Sequence, residues 1–477
     1  MTALINSQFD ALRRAWEQNR PDEYQRRKDL LCLRANFKAS LNEMVEAVSC
    51  DFGHRSRQET LLAEAVTVLQ EIDLCLQSLK KWLKPQRRKA GWQLWPARAE
   101  MRYVPLGVVG IMAPWNYPVN LTLTPLVAAL AAGNHVFIKP SEYTPHTNAY
   151  LEQLFSKIFP ENRVSMAQGG ADIAAAFSAL PFDHLFFTGS SENGKKVMAA
   201  AAQNLTPVTL ELGGKSPALI APDADLKKAA ARIITGKLFN AGQTCIAPDY
   251  VLLPENALEP FIAEAKQQVS QRYRQTSHFP DYTSIINTRQ YQRLSKLLED
   301  ASLRGYQTIP LMPFVDPQHA LERRVFGPTL VLNPDDGSAI MQEEIFGPLM
   351  PIKTYRSYDE AIHYIASHDR PLALYCFSKD GFGKNGFSKK NPYIEAALLH
   401  IVAGSICIND TLYQFACTDL PFGGVGQSGM GQYHGYEGFK TFSKAMPILR
   451  QSHLALTDQL RPPYGQWVDL IIRFLSR

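Results

Sequence analysis

Between residues 108 and 212, short apolar runs alternate with stretches of helical spacing. The run at 108–113, closed by Pro114, predicts a buried strand. A helical pattern follows at 125–132, and then a strand at 135–139. Thr144 and Pro145 supply an N-cap and a first-turn proline, opening a helix to about residue 158. The alternation continues with a strand at 164–168, a helix at 171–180 and a strand at 184–188. A glycine turn at 189–194, a helix at 195–203 and a strand at 207–212 complete it. Such alternation predicts βαβ units and a parallel, doubly wound sheet. Ligands bind outside the carboxyl ends of the strands in sheets of that kind.

The flanks read differently. Residues 4–84 are helical, with Phe9, Leu12 and Trp16 on one face and Leu61, Leu62, Ala65, Val68 and Leu69 on another. The basic stretch 80–89 around Pro85 reads as a solvated connector rather than an anionic-lipid site, and 92–104 as extended. A second α/β stretch begins after Gly213 and Gly214, with a helix at about 225–240 and a strand at 249–253, and continues to Asn409. The glycine-rich segment 419–431 predicts loop, and 438–450 extended structure. Trp467, Leu470, Ile471 and Phe474 share one helical face in 464–475. That tail is expected near a substrate entrance or across a dimer, with weak membrane-surface contact as the alternative.

The length of 477 residues suggests about three compact units. With 45% hydrophobic and 20% charged residues, a sizeable core rather than disorder is expected. A net charge of +5, without a basic motif, gives no case for nucleic acid. Seven cysteines without a C-x-x-C pair argue against a disulfide framework or a zinc ribbon, and no metal site is expected. Pro125, Gly133, Asn134 and His135 break the most apolar long window, 121–138, and a spanning helix needs ~20 apolar residues. No secretory pattern opens the chain. These observations predict a soluble, cytoplasmic protein without a transmembrane segment.

Candidate chemistry lies at the strand ends. The turn 187–194 has G-x4-G spacing, which suits either a phosphate at a helix N-terminus or a plain tight turn. Lys139 and Glu142 could bracket a ribose or belong to an ordinary polar loop. Glu211, an acid inside an apolar strand, reads as a buried general base or as the ion-pair partner of Lys215. Cys32, Cys75, Cys376 and Cys407 read as inert core residues, whereas Cys245 sits in a Gly-containing loop just past a helix, where a thiolate can act as nucleophile. Two prolines stiffen the loop around Asn116, whose amide could donate to an oxyanion or merely shape a turn.

Seven motifs follow one another along the chain: APWNYP at 113–118, IKPSE at 138–142, FTGS at 187–190, LELGGKSP at 210–217, FNAGQTCIAP at 239–248, EEIFGP at 343–348 and PFGGVGQSG at 421–429. Together they resemble the aldehyde dehydrogenase superfamily over about residues 90–445, most closely its class 3 and coniferyl aldehyde dehydrogenase branch. The resemblance implies an α/β fold with two doubly wound Rossmann-like domains and a small bridging or oligomerisation β element. The expected divisions are N-terminal helices (1–91), a bridging strand segment (92–106), an NAD(P)-binding domain (107–213) and a catalytic domain (214–409). A return loop with an oligomerisation strand (410–450) and a C-terminal tail helix (451–477) follow.

The resemblance also assigns roles. Cys245 is the nucleophile, Glu211 the general base and Asn116 the oxyanion-hole amide. Trp115, Lys139, Glu142, Gly189, Ser190, Gly194, Leu212, Glu344 and Phe346 contact the cofactor, NAD or NADP. The substrate is an aromatic or a medium-to-long aliphatic aldehyde, and the assembly a homodimer. A CoA-acylating relative is the enzymatic alternative, though such enzymes do not need a base at the Glu211 position. A catalytically silent binding or structural protein on the same fold is the other.

Overall fold

The computed structural model describes residues 2–273, 280–312, 317–379 and 391–476. Three amphipathic helices lead: α1 (Thr2–Gln18), α2 (Glu23–Ala39) and α3 (Leu41–Phe52). Asp22 caps α2 by accepting from the Gln25 N–H at 2.8 Å. Leu30, Leu33 and Phe37 recur at helical spacing and are fully buried, as are Met44, Val48 and Phe52. A longer helical arm then runs through α4 (Arg57–Thr60), a π-helical turn (Leu61–Val66) and α5 (Thr67–Trp82).

The π turn corrects one expectation. Residues 61–69 do not present a single apolar face. A π turn rotates the chain out of α-helical phase, so Ala65 and Val68 enter the core whereas Leu62 and Val66 stand outside it and line a cavity.

The strands, in chain order, are β1 (Gln86–Arg88), β2 (Arg98–Pro105), β3 (Val108–Met112), β4 (His135–Lys139), β5 (Val164–Met166), β6 (His184–Gly189), β7 (Val208–Leu212) and β8 (Pro217–Ile220). They continue as β9 (Tyr250–Pro254), β10 (Thr308–Pro310), β11 (Thr329–Leu332), β12 (Leu349–Tyr355), β13 (Ala373–Phe377), β14 (Ser405–Ile408), β15 (Gly429–Met430) and β16 (Ser443–Arg450). Three sheets result, ordered β15-β7-β6-β3-β4-β5, β10-β11-β12-β9-β8-β13-β14 and β1-β2-β16. The first two are parallel except at β15 and β10. The third is antiparallel, with β2 and β16 paired from Ser443↔Pro105 to Arg450↔Arg98. This is the doubly wound pair with a separate small sheet that the sequence implied.

In the first sheet, strand order reverses between β3 and β6, the topological switch point. All five residues of β3 and all five of β4 are buried, as parallel strands covered on both faces require. Helix α6 (Asn120–Ala132) is buried all round, and Gly133 ends it at φ 94 by donating to the Ala129 and Leu130 carbonyls. Helices α7 (Pro145–Ile158), α8 (Ala171–Ser178) and α9 (Ser191–Ala202) complete this unit, α9 starting inside the expected glycine turn. In the second unit, α10 (Leu226–Leu238) precedes Cys245, and α11 (Leu258–Arg272) packs beside it.

Other boundaries also differ. Residues 92–94 form a 3-10 turn, and the connector supplies β1. Within 438–450 a helix, Gly435–Thr441, precedes β16, because Phe439 is buried and Gly438 packs close to Ala128 of α6. Tertiary burial thus overrides a segment of weak helical propensity.

One large core joins α2, α3 and α5 to both parallel sheets. At its polar centre Arg55 meets Glu64 at 3.1 Å, both side chains wholly buried. The second oxygen of Glu64 accepts from the Val119 and Asn120 N–H groups at 3.0 and 2.7 Å, capping α6 from another element. Glu64→Ala would strand the guanidinium of Arg55, and such breakage costs about 3–5 kcal/mol. Urea unfolding is expected to show a loss of that size; a loss below about 1 kcal/mol, the range of an exposed pair, would refute this anchoring role.

Candidate active site

The motifs converge where the carboxyl ends of the parallel strands in the first sheet meet the loops that lead into strands β9 and β12 of the second. The APWNYP loop leaves β3, and Thr188 and Gly189 end β6, paired in register with Glu211 and Leu212 of β7. Gly213 and Gly214 follow. From the second unit come the Cys245 loop, after α10, and the loop 343–348, before β12.

The segment leading to Cys245 is strained. Asn240 and Ala241 adopt φ of 52 and 51, and Gly242 follows at 75. Such left-handed backbone at non-glycine residues persists only where its surroundings enforce it. Here Asn240 donates its N–H to Glu59 at 3.0 Å and its side-chain amide to the carbonyls of Asn116 and Gln243, at 3.1 and 3.2 Å. A Cβ on Gly242 would lie 2.3 Å from the Gly347 carbonyl oxygen, so the two loops touch backbone to backbone.

Asn116 is almost fully buried. Its Nδ2 donates to the Gln243 carbonyl at 3.1 Å. That bond uses one hydrogen and orients the amide, leaving the other hydrogen available.

Glu211 is 3% exposed, and neither carboxylate oxygen has a hydrogen-bond partner among the described residues. Burial holds its carboxyl well above the usual range. Lys215 pairs instead with Asp249 and donates to the carbonyls of Ile340 and Glu343. The ion-pair reading of Glu211 therefore fails.

Burial also pushes the Cys245 thiol up, with the nearby carboxylates of Glu344 and Glu211 adding to the effect. The backbone N–H groups of Cys245 and Ile246 work in the other direction. Glu344 rises to about 8, again chiefly by burial; its Oε1 is buried without a partner. Among the remaining cysteines Cys75 and Cys376 are buried, but Cys32 and Cys407 are only half-buried.

The other sequence-predicted residues fall on the first sheet or near it. Trp115 and Phe346 stack edge to face at 5.2 Å. Lys139 is buried and lies 3.8 Å from the partly exposed Glu142. Ser190 caps α9, and Gly194 lies so close to Leu212 that a Cβ would meet its Cδ2 at 2.5 Å.

Three residues escaped the sequence reading. Thr188 sits beside Glu211, its hydroxyl buried and unpartnered. Lys237 is buried on α10 and lowered by burial to about 8. Tyr433 is fully buried with an unpartnered hydroxyl, within electrostatic reach of Glu211 and Cys245. Lys237 and Tyr433 belong to none of the motifs, and Thr188, though inside the FTGS motif, is a hydroxyl whose burial alone sets it apart.

A cavity of about 550 Å³ is lined by Cys245. Tyr117, Leu121, Phe239, Leu412 and Phe415 supply much of its apolar wall. None of the sequence-predicted cofactor residues lines it, nor does Glu211. Among the described residues none from the terminal helix Gln466–Leu475 lines it either; Phe474 packs edge to face on Trp92 at 5.9 Å, and Trp467, Leu470 and Phe474 are exposed.

Residues 5–447 match the model of the aldehyde dehydrogenase family, and the chain belongs to that family, whose members are oxidoreductases acting on aldehydes. Two bacterial relatives are close. The chain is 47% identical to a probable coniferyl aldehyde dehydrogenase of Pseudomonas aeruginosa, over 95% of this chain and 92% of that one. It is 44% identical to a coniferyl aldehyde dehydrogenase of a Pseudomonas species, over 91% and 88%. The solved structure of Staphylococcus aureus AldH in a substrate-bound state superimposes with a TM-score of 0.91 at 36% identity, covering 99% of each chain.

The electrostatics predict a thiol response. Glu344→Gln removes the stronger of the two carboxylate charges that oppose the Cys245 thiolate. Iodoacetamide alkylation of the Cys245 peptide, followed by mass spectrometry at pH 8, should accelerate several-fold; an unchanged rate would refute that coupling.

Proposed function

We propose that this aldehyde dehydrogenase oxidises its substrate to the carboxylic acid by covalent chemistry at Cys245, with NAD or NADP as cofactor. One observation carries the proposal: Cys245 lines an apolar cavity and lies within electrostatic reach of Glu211, a buried acid with no partner among the described residues.

An aldehyde entering the cavity meets the sulfur. Attack by the thiolate forms a C–S bond and leaves an oxyanion, for which the free hydrogen of Asn116 Nδ2 and the Cys245 N–H are the available donors. Losing one such donor costs ~10²–10³ in rate. The oxidised nicotinamide, when bound, accepts the hydride. Glu211 then draws a proton from water, whose oxygen attacks the Cys245 thioester; the acid leaves and the sulfur is freed. A CoA-accepting reading is disfavoured, since it would give Glu211 no task. A silent scaffold would leave this buried acid equally unexplained.

The residues facing Glu211 fit a dinucleotide. The buried, unpartnered Glu344 Oε1 suits a ribose hydroxyl, and the buried Lys139 amine stands at the end of β4 for a second ribose. Gly189 and Ser190 open α9, whose N-terminus favours a phosphate. The Trp115–Phe346 pair flanks the nicotinamide end. Glu142 is exposed enough to leave NAD and NADP both acceptable.

Names of the relatives and the aromatic walls of the cavity support coniferyl-type aryl aldehydes, with medium or long aliphatic aldehydes as the second choice. We also read the chain as a cytoplasmic homodimer. The outer edge of β16, with Met446 and Leu449 exposed, supports pairing of two copies.

Cys245→Ser should abolish NAD(P)H production from aldehyde; normal turnover would overturn the assignment. Glu211→Gln should spare a first burst of NAD(P)H and slow every later turnover. A carboxyl raised by burial stays protonated until the pH exceeds its raised pKa, so base catalysis is lost as pH falls through that value. The steady-state rate should therefore show an acid limb above the ordinary carboxylate range. That limb should be missing from Glu211→Gln, and its persistence there would assign the base to another group.

A further inference from the structure

The cavity is not uniformly apolar. Gln70, Thr235, Arg232, Arg272 and Asp410 also line it. Arg232 and Arg272 are exposed and mark its outer end, whereas Cys245 and Phe239 are half-buried. Helix α10 connects the two ends. Arg232, Thr235, Gly236 and Phe239 follow at helical spacing along the wall. From Arg232 to Phe239 the axial rise is about 10 Å.

The two guanidiniums differ in their partners. Arg232 lies 3.6 Å from Asp410 and donates to the Asn409 carbonyl. Arg272, at the end of α11, donates Nε to Gln268 at 3.0 Å and Nη1 to the Thr235 hydroxyl at 2.6 Å. Thr235 in turn donates to the Ala231 carbonyl at 2.7 Å. Among the described residues Arg272 has no carboxylate partner, and its Nη2 has no acceptor. A cation held in place by two neutral groups, at the rim of an apolar cavity, is equipped to receive an oxygen from a ligand.

We propose that Arg272 reads the far end of the substrate, donating to the hydroxyl that a coniferyl-type aryl enal bears para to its aldehyde-bearing chain. This rests on the functional reading above and narrows it. A 4-hydroxycinnamaldehyde spans about 8 Å from carbonyl carbon to phenolic oxygen at ordinary bond lengths. With its carbonyl at Cys245, such an aldehyde would lay its ring against the aromatic wall of Tyr117, Phe239 and Phe415 and carry its oxygen toward the Thr235 and Arg272 end. With the guanidinium the hydroxyl gains a charge-assisted hydrogen bond, stronger still when the phenol ionises.

The test compares kcat/KM for 4-hydroxycinnamaldehyde and cinnamaldehyde in the full-length enzyme, in Arg272→Met and in Arg272→Lys, at pH 7 and pH 9. The wild type should favour the hydroxylated aldehyde by about tenfold or more, the scale of a hydrogen bond to a charged group. The preference should grow at pH 9. It should collapse toward unity in Arg272→Met and return in part in Arg272→Lys. A ratio near one in the wild type, or the same ratio in Arg272→Met, overturns the proposal while leaving the dehydrogenase reading intact. If an ω-carboxylated aliphatic aldehyde of equal length depends on Arg272 more than the phenol does, the aryl assignment is overturned. If the wild type oxidises none of these aldehydes, the functional reading falls and this inference falls with it.

Discussion

The buried contact between Arg55 and Glu64 holds the two halves of the site in register. Arg55 also donates to the Asn116 carbonyl at 3.0 Å and lies over the rings of Phe52 and Tyr117. Glu64 fixes the first turn of α6, into which the Asn116 loop runs. One helical turn away, Glu59 accepts from the Asn240 N–H and from Thr283 at 2.9 Å. A single stretch, residues 55–64, thus grips the Asn116 loop of one unit and the Cys245 loop of the other. A buried ion pair is weak evidence for net stability. Here it does geometric work, because the carbonyls of Asn116 and Gln243 and the amides of Asn116 and Asn240 meet only if both loops are anchored.

That anchoring makes the strain before Cys245 intelligible. Left-handed backbone at Asn240 and Ala241 turns the chain sharply between the end of α10 and the cysteine, and hydrogen bonds from the N-terminal arm offset the cost. The electrostatics of the centre follow from the same enclosure. The sulfur, Glu211 and Glu344 are all raised by burial, so each resists carrying its negative charge. A site with three such groups favours a reaction in which negative charge is consumed as it forms, as when a thiolate becomes a thiohemiacetal and then a thioester.

What was legible in the sequence was local. Apolar runs mark β3, β4 and β6 because parallel strands buried on both faces have little room for polar residues. The motif loops were legible because their residues act within a few positions of one another. Long-range partners were not. Glu211 and Lys215 are neighbours in sequence, yet Lys215 turns to Asp249, which no spacing rule anticipates. Glu59 and Glu64 looked like ordinary helical acids, since nothing in residues 57–66 announces that their carboxylates enter the core. The π turn was likewise invisible: it alters the phase of a helix whose composition is unremarkable. The helix Gly435–Thr441 was hidden for the opposite reason, since its own residues favour it little and α6 supplies its support.

The same division between local and distant constraint explains the cavity. Its inner end is set by the motif around Cys245, which the chemistry restricts to a few residue types. Its outer end is built from α10, α11 and the π turn, elements that carry no motif and are free to vary in the side chains they present. Helix α10 runs from that rim to the loop that carries Cys245, so the rim residues Arg232 and Thr235 are tied to the cysteine loop by regular structure up to Leu238. On the proposed reading, the backbone sets the length of the aldehyde and the rim side chains the polarity of its far end. Arg232 faces the carboxylate of Asp410, whereas the exposed Arg272 is held by neutral groups, Gln268 and Thr235. On the proposal above, recognition of a substrate oxygen accounts for the difference between these two arginines.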